Sequence, residues 1–289
     1  MDAVASTTKI EVSHDAVCPE ISPVHCEELG GLPPHTHHQT MHMTRMNGLL
    51  AVGLGKNIQL KGELPFDYKA MTIEYKDDSG APYDPPYRGI HHRNETLKGI
   101  GDARLHVEYY AKAKERWIVG GGVGSTIPTG KTEADPYALA EQSKAHQHIQ
   151  MGSGTFSPVA QVSALYNGHQ WGLMSKLQAK LALSENNKSY TPSSALRLTA
   201  GPTYRATSKW MLIASGDVLH ETQAYWGDRA DPMSGRTAIF GSASVVYRFN
   251  TTVAVMAQGQ LTAAQWSVSD QIVQPFVGVA GITLTPQKR

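Results

Sequence analysis

The sequence predicts an all-β chain closed into an antiparallel transmembrane β-barrel of the outer-membrane type, with about 12 strands. Three observations carry this. From about residue 49 onward, apolar and polar residues alternate with period two. The connectors between the alternating segments are short and long in turn. Several segments also keep Lys, Arg and Glu on one parity and apolar residues on the other, while no stretch approaches the roughly 20 apolar residues of a membrane helix. Backbone polar groups find no partners in lipid, so a membrane chain without such helices must close into a barrel.

The clearest strand lies within residues 169–183. Trp171, Leu173, Leu177, Ala179, Leu181 and Leu183 share one face with Ser175, and Gly172, Met174, Lys176, Gln178, Lys180 and Ala182 take the other. A helix would mix the two sets, whereas a strand separates them. Residues 195–205 repeat the pattern, with Leu196, Leu198, Ala200, Pro202 and Tyr204 opposite Arg197, Thr199, Thr203 and Arg205. Asn57, Gln59, Lys61 and Glu63 oppose Ile58, Leu60 and Leu64, and Arg104, His106, Glu108 and Tyr110 oppose Leu105, Val107 and Tyr109. Similar alternation marks 239–249 and 252–262, and residues 117–129 and 156–166 are strand-like but less regular.

Short connectors are expected at 55–56, 112–116, 167–168, 206–208 and 250–251, and long ones at 76–99, 130–150, 184–192, 224–235 and 265–270. Short turns at one end and long loops at the other are the pattern of outer-membrane barrels. Trp117, Tyr166, Trp171, Tyr204, Trp210, Tyr247 and Phe249 all sit beside the short turns, as an interfacial aromatic girdle would. Counting from Met43 gives about eleven crossings. Residues 1–40 are therefore expected to be a separate N-terminal Cys/His-rich segment ahead of a barrel at 41–289. This segment supplies either a first strand near 8–13 and an outer loop, or a lumen plug. Met1–Ser6 has neither a basic nor an apolar leader region, so the chain reads as a mature form whose signal peptide has been removed. The localisation expected is the bacterial outer membrane.

Four short words then line up in order: Gly99-Ile100-Gly101-Asp102-Ala103-Arg104-Leu105, Ile127-Pro128-Thr129-Gly130, Gln150-Met151-Gly152-Ser153-Gly154-Thr155-Phe156, and, after Trp171, Leu183-Ser184-Glu185-Asn186-Asn187-Lys188-Ser189-Tyr190. In these the chain resembles the outer-membrane transporter family described by similarity to the MetA pathway of phenol degradation, with coverage from about Met46 onward. The resemblance implies a barrel with a transport role for small solutes, aromatic or other organic compounds among them, and no catalytic residues.

The charged set Lys61, Glu63, Arg104, Glu108, Lys176, Lys180, Arg197 and Arg205 carries the transport reading. A Lys or Arg facing lipid at the membrane midplane costs about 2–4 kcal/mol, so these side chains are expected to face an enclosed polar lumen. There they would either line a wet pore or fill it through ion pairing. The alternative function is metal handling. His35, His37, His38, Met41, His42 and Met43, with Cys18, His25 and Cys26 upstream, gather imidazole, thioether and thiol groups. Imidazole suits copper and zinc, and thioether favours Cu(I), so copper is the cofactor this reading names. His91-His92 and His146-Gln147-His148 lie in expected outer loops. Cys18 and Cys26 also fit a small disulfide loop.

Other classes are excluded or remote. The net charge of +1 gives no footprint for nucleic acid. The stretch 124–132 has five residues between its glycines where a phosphate loop has four. No Gly-x-Ser-x-Gly, His-Glu-x-x-His or paired carboxylates appear in a suitable context, which leaves an outer-membrane enzyme as a remote third reading. The expected partners are outer-membrane lipid and a small-molecule solute.

Overall fold

The computed structural model describes residues 1–15, 33–86, 88, 93–268 and 272–285. Twelve antiparallel strands close into a barrel. They are β1 (Asp2–Asp15), β2 (His35–Gly53), β3 (Ile58–Asp77) and β4, which runs in two segments (Glu95–Ile100 and Ala103–Lys114). Next come β5 (Trp117–Ile127), β6 (Pro158–Asn167), β7 (Trp171–Lys180) and β8 (Ala195–Arg205). The circuit ends with β9 (Trp210–Glu221), β10 (Arg236–Arg248), β11 (Val253–Ser267) and β12 (Phe276–Leu284). Each strand pairs with its sequence neighbour, and β1 closes the ring by pairing with both β12 and β2. Closure removes the unpaired strand edges that hydrocarbon would leave unsatisfied.

The connections at 54–57, 115–116, 168–170, 206–209 and 249–252 lie at one end, together with Met1 and Leu284. There the Met1 ammonium donates to the Leu284 carbonyl at 2.8 Å. The long connections gather at the other end, as the alternation of connector lengths predicts. Two of them, 181–194 and 222–235, are joined by a small sheet of Tyr190–Thr191, Tyr225–Trp226 and Arg229–Ala230. The longest, 128–157, carries one helical turn, α1 (Pro136–Glu141). Asp135 caps it by accepting from the Tyr137 and Ala138 amides, and proline occupies the first turn, where no intrahelical N–H is needed.

The wall's outer face is apolar. Leu50, Leu64, Phe66, Leu105, Val107, Leu173, Leu177, Leu196, Leu198, Leu212 and Val218 are all exposed large hydrophobics on outward parities. At the short-turn end, aromatic residues pair across neighbouring strands. Trp171 meets Tyr204 at 4.6 Å between ring centroids, Trp210 meets Tyr247 at 4.6 Å, and Trp117 meets Tyr166 at 5.2 Å. Each is a registered cross-strand pair. Such pairs contribute about 0.5–1.5 kcal/mol beyond their buried area, and they form the girdle at that interface.

Towards the long loops, the outward parity of β1–β3 turns polar. Lys9 and Glu11 form an ion pair there, and His38, His42 and Glu74 share that face. The three strands therefore rise above the apolar band as a polar rim. This explains their length and a difference from the sequence reading. The His-rich stretch from His35 is not a loop but the upper half of β2, because alternation between two polar faces carries no hydropathy signal. The segment 16–32, with Cys18, His25 and Cys26, lies outside the described residues.

β4 contains the barrel's main irregularity. Phe66 pairs with Ile100, but Glu63 pairs with Arg104, so one extra residue sits between the two ladders. This bulge shifts the parity: Glu95 and Gly99 face inward above it, and Arg104, His106 and Glu108 face inward below it.

Candidate transport lumen

Twelve strands enclose a space between that of eight-stranded barrels, which side chains fill, and that of porins with an open channel. Here the polar face of the wall and an infolded loop share the interior.

The most connected group is Glu108 on β4, only 2% exposed. Its carboxylate accepts from Lys61 Nζ at 2.6 Å, Gln59 Nε2 at 2.8 Å and His106 Nε2 at 2.9 Å, and also from the Tyr110 hydroxyl and the Gln161 amide. These side chains lie flat over β5, where the inward positions are Gly120, Gly122 and Gly124. A Cβ at Gly120 would stand 2.5 Å from the Tyr110 ring, and one at Gly122 would stand 2.9 Å from Glu108 Cγ. The glycines provide the floor on which the buried carboxylate network rests. Gly124, the first glycine of the phosphate-loop-like stretch 124–132, belongs to this floor, and that stretch runs from the end of the strand into the long loop.

The other predicted lumen residues are placed as follows. Glu63 and Arg104 sit on adjacent strands with 3.6 Å between charged atoms. Arg197 on β8 pairs with the buried Asp217 on β9 at 2.9 Å, and the Thr199 hydroxyl donates to the same carboxylate. Lys176 and Lys180 lie on the inward parity of β7, on either side of Gln178, which faces Arg197 in register. Among the described residues neither lysine has a carboxylate within ion-pair distance. Arg205 stands at the short-turn mouth and donates to the His169 carbonyl at 3.1 Å.

Several lumen groups are absent from the sequence reading. Asp67, fully buried, receives a bidentate Arg45 guanidinium at 2.6 and 2.7 Å. Arg236 pairs with Glu221 at 2.7 Å. Asp67 and Lys69 continue the odd parity of Lys61 and Glu63 along β3, and following that alternation past Pro65 would have found them.

The loop 128–157 folds back into the barrel mouth. Lys69 Nζ donates to the Gln150 carbonyl at 2.8 Å, and the Arg229 guanidinium stacks 3.8 Å over the Tyr137 ring. A polar knot holds the base of the loop. Asp102, at the β4 bulge, accepts from the Gly130 amide at 3.1 Å, the Ser153 amide at 2.7 Å and the Ser153 hydroxyl at 2.6 Å. Thr129 donates to the Gly101 carbonyl at 2.7 Å, and Asn186 donates to the Ser153 carbonyl at 2.9 Å. Gly130 and Gly152 touch backbone to backbone, so a Cβ at Gly152 would lie 2.4 Å from Asp102 Oδ1. Gly154 takes a φ of +71° beside Asn186, a conformation open to glycine. The four sequence words behind the family resemblance, far apart in the chain, meet in this knot.

Above the knot, wall and loop enclose a cavity of about 650 Å³. Ile10, Val12, Met41, Met71, Glu221 and Arg236 from the wall line it, with Tyr137, His148 and Ile149 from the loop. Burial holds the His148 imidazole down to about 3, with His146, His14 and Arg229 adding repulsion.

The strand geometry divides the predicted metal set. His35, His37, Met41 and Met43 follow the inward parity of β2, and His38 and His42 take the outward one. His37 packs against His14, His35 and Tyr75, and His38 exchanges a hydrogen bond with Ser13. Among the described residues no group of three or more His, Cys, Asp or Glu is placed to hold a metal ion. Period two therefore keeps His35 and His37 on one side of the wall, with 3.3 Å between their Nε2 atoms, and turns His38 to the other. Cys18, His25 and Cys26 lie outside the described residues, as do His91 and His92.

No family model matches the chain, and no curated protein matches it. Among solved structures it is similar to an outer membrane channel from Pseudomonas putida F1. The TM-score is 0.60 at 11% identity, over 98% of this chain and 95% of that one. It is also similar to the NanC porin, with a TM-score of 0.48 at 8% identity over 96% of this chain and 100% of that one. The KdgM porin gives 0.45 at 8% identity over 96% and 99%. At this level of identity the first likeness establishes the fold, an outer-membrane β-barrel.

Proposed function

We propose that the chain is an outer-membrane channel that passes small organic solutes through its polar lumen, acting as a conduit and not as a catalyst. One observation carries the reading. Charged and amide side chains converge inside a closed apolar wall, and a knotted loop narrows the mouth without removing a cavity large enough for a single-ring solute. The words that meet in the knot are those of the MetA-like resemblance, so the solute class it implies, aromatic or other small organic compounds, is the class proposed here.

The test is conductance and liposome swelling by the refolded, heat-modifiable barrel, using sized sugars and single-ring aromatics. Permeation of single-ring compounds with rejection of larger sugars is expected. A folded barrel that conducts no ion and admits no solute would overturn the reading.

A further inference from the structure

The lumen's charges are not evenly matched. Most carboxylates inside the barrel already have cationic partners: Asp67 has Arg45, Glu108 has Lys61, Glu63 has Arg104, Asp217 has Arg197 and Glu221 has Arg236. Lys176 and Lys180 remain on β7 as cations outside these pairs. They share one face, four residues apart, so about 13 Å separates their Cα atoms along the strand. Arg197 stands in register with Gln178 between them. Lys176 and Lys180 form a positive rail down one side of the passage, with the paired Arg197 beside them.

The rail leads from the cavity. Lys180 pairs with Ala195, Ala195 with Glu221, and Glu221 with Arg236. Glu221 and Arg236 both line the chamber, so the upper end of the rail shares a register row with two of its lining residues. The chamber has a mixed lining, in which Ile10, Val12, Met41, Met71 and Ile149 supply an apolar share beside the Tyr137 ring. Its other carboxylates are Asp15, Glu95, which is paired with Arg93 at 3.0 Å, and Asp231, whose carboxyl burial pushes upward. A solute moving inward therefore meets a chamber with an apolar share to its lining first and a cationic wall next. A low-dielectric wall focuses such a field on the passing charge.

We propose that the channel selects organic anions of compact, apolar body, single-ring or branched-chain carboxylates, with Lys176 and Lys180 as the specificity-determining residues. The proposal rests on the channel reading above and deepens it. The body occupies the chamber, the carboxylate leads along the rail, and exchange between successive cations keeps each binding step weak enough for release.

The experiment uses the full chain refolded into bilayers and liposomes, with benzoate, benzyl alcohol and benzylammonium as isosteric probes of charge −1, 0 and +1. Wild type should admit benzoate several-fold faster than benzylammonium, and its reversal potential in a salt gradient should show anion preference. In K176Q/K180Q the ratio of benzoate to benzyl alcohol permeation should fall about tenfold, and in K176E/K180E the preference should invert to benzylammonium. The heat shift on gels confirms that each variant is folded. Conductance without anion preference in wild type, or an unchanged ratio in the folded double variant, overturns this proposal and leaves the channel reading standing. Absence of any conductance or uptake overturns both.

Discussion

Asp102→Ala tests whether the knot holds the 128–157 loop in the barrel mouth. The side chain accepts three hydrogen bonds, from Gly130 N, Ser153 N and Ser153 Oγ, at 3.1, 2.7 and 2.6 Å. Bonds to a charged acceptor contribute about 1.5–3 kcal/mol each, and three that share one carboxylate are not independent. Their joint loss should weaken docking by about 3–6 kcal/mol, which raises the undocked fraction by about two to four orders of magnitude. No neighbour can fill the space, since Gly130 and Gly152 already touch through their backbones. The ladder hydrogen bonds are not involved, so the heat shift of the barrel on gels should stay near wild type. Two assays read the docking: the rate of tryptic cleavage after Lys131 and Lys144, and the open-channel noise and conductance. Faster cleavage and a larger, noisier conductance are expected. Cleavage within about threefold of wild type and an unchanged conductance would refute the argument that the knot positions the loop.

Four further outcomes follow from the same geometry. Glu108→Ala strands the Lys61 cation in a largely enclosed network and should destabilise the barrel by about 3–5 kcal/mol, whereas the double variant with Lys61→Ala should recover part of that loss; melting of the heat-shifted band checks both. Gly124→Ala places a Cβ 2.2 Å from the Leu105 carbonyl oxygen and should lower stability by about 1–3 kcal/mol by the same gel assay. Acidification should loosen the loop. The docked His148 imidazole is held to about 3, so neutral His148 supports docking fully above the ordinary value of 6.5, and that support fades as pH falls from 6.5 towards 3. At pH 5 the weakening is about 2 kcal/mol, and a His148→Gln variant should show a flatter pH profile of cleavage. Finally, fluorescence of Trp117, Trp171 and Trp210 should be quenched most by lipids brominated near the headgroups, as a girdle at one interface requires.

The barrel itself was legible because lipid imposes contrast. Where a strand faces hydrocarbon on one side and water on the other, as at residues 171–180 and 195–205, alternation gives the fold, the facing and the short turns directly. Legibility failed where the contrast ends. His35–Arg45 faces polar surroundings on both sides of the rim, so nothing in its composition distinguishes a strand from a loop. The candidate site was legible in its parts and not in its assembly. Lys61, Glu108, Lys176 and Arg197 are visible by parity, but the knot joins Asp102 to Ser153 across 51 residues, and no local pattern encodes that contact. The four recurring words gave the only hint of it, and they could not say that they touch.

The single extra residue at the β4 bulge also works as a phase marker for the wall. Upstream of it odd positions look into the lumen; downstream even positions do. A regular ladder continued from Phe66–Ile100 would set position 103 opposite Glu63, so deleting one residue between Ile100 and Arg104 should remove the bulge that presents Asp102 and still leave Arg104, His106 and Glu108 facing inward. The bulge thus lets the strand carry one additional residue, and with it the acceptor for the loop, without disturbing the lining below it.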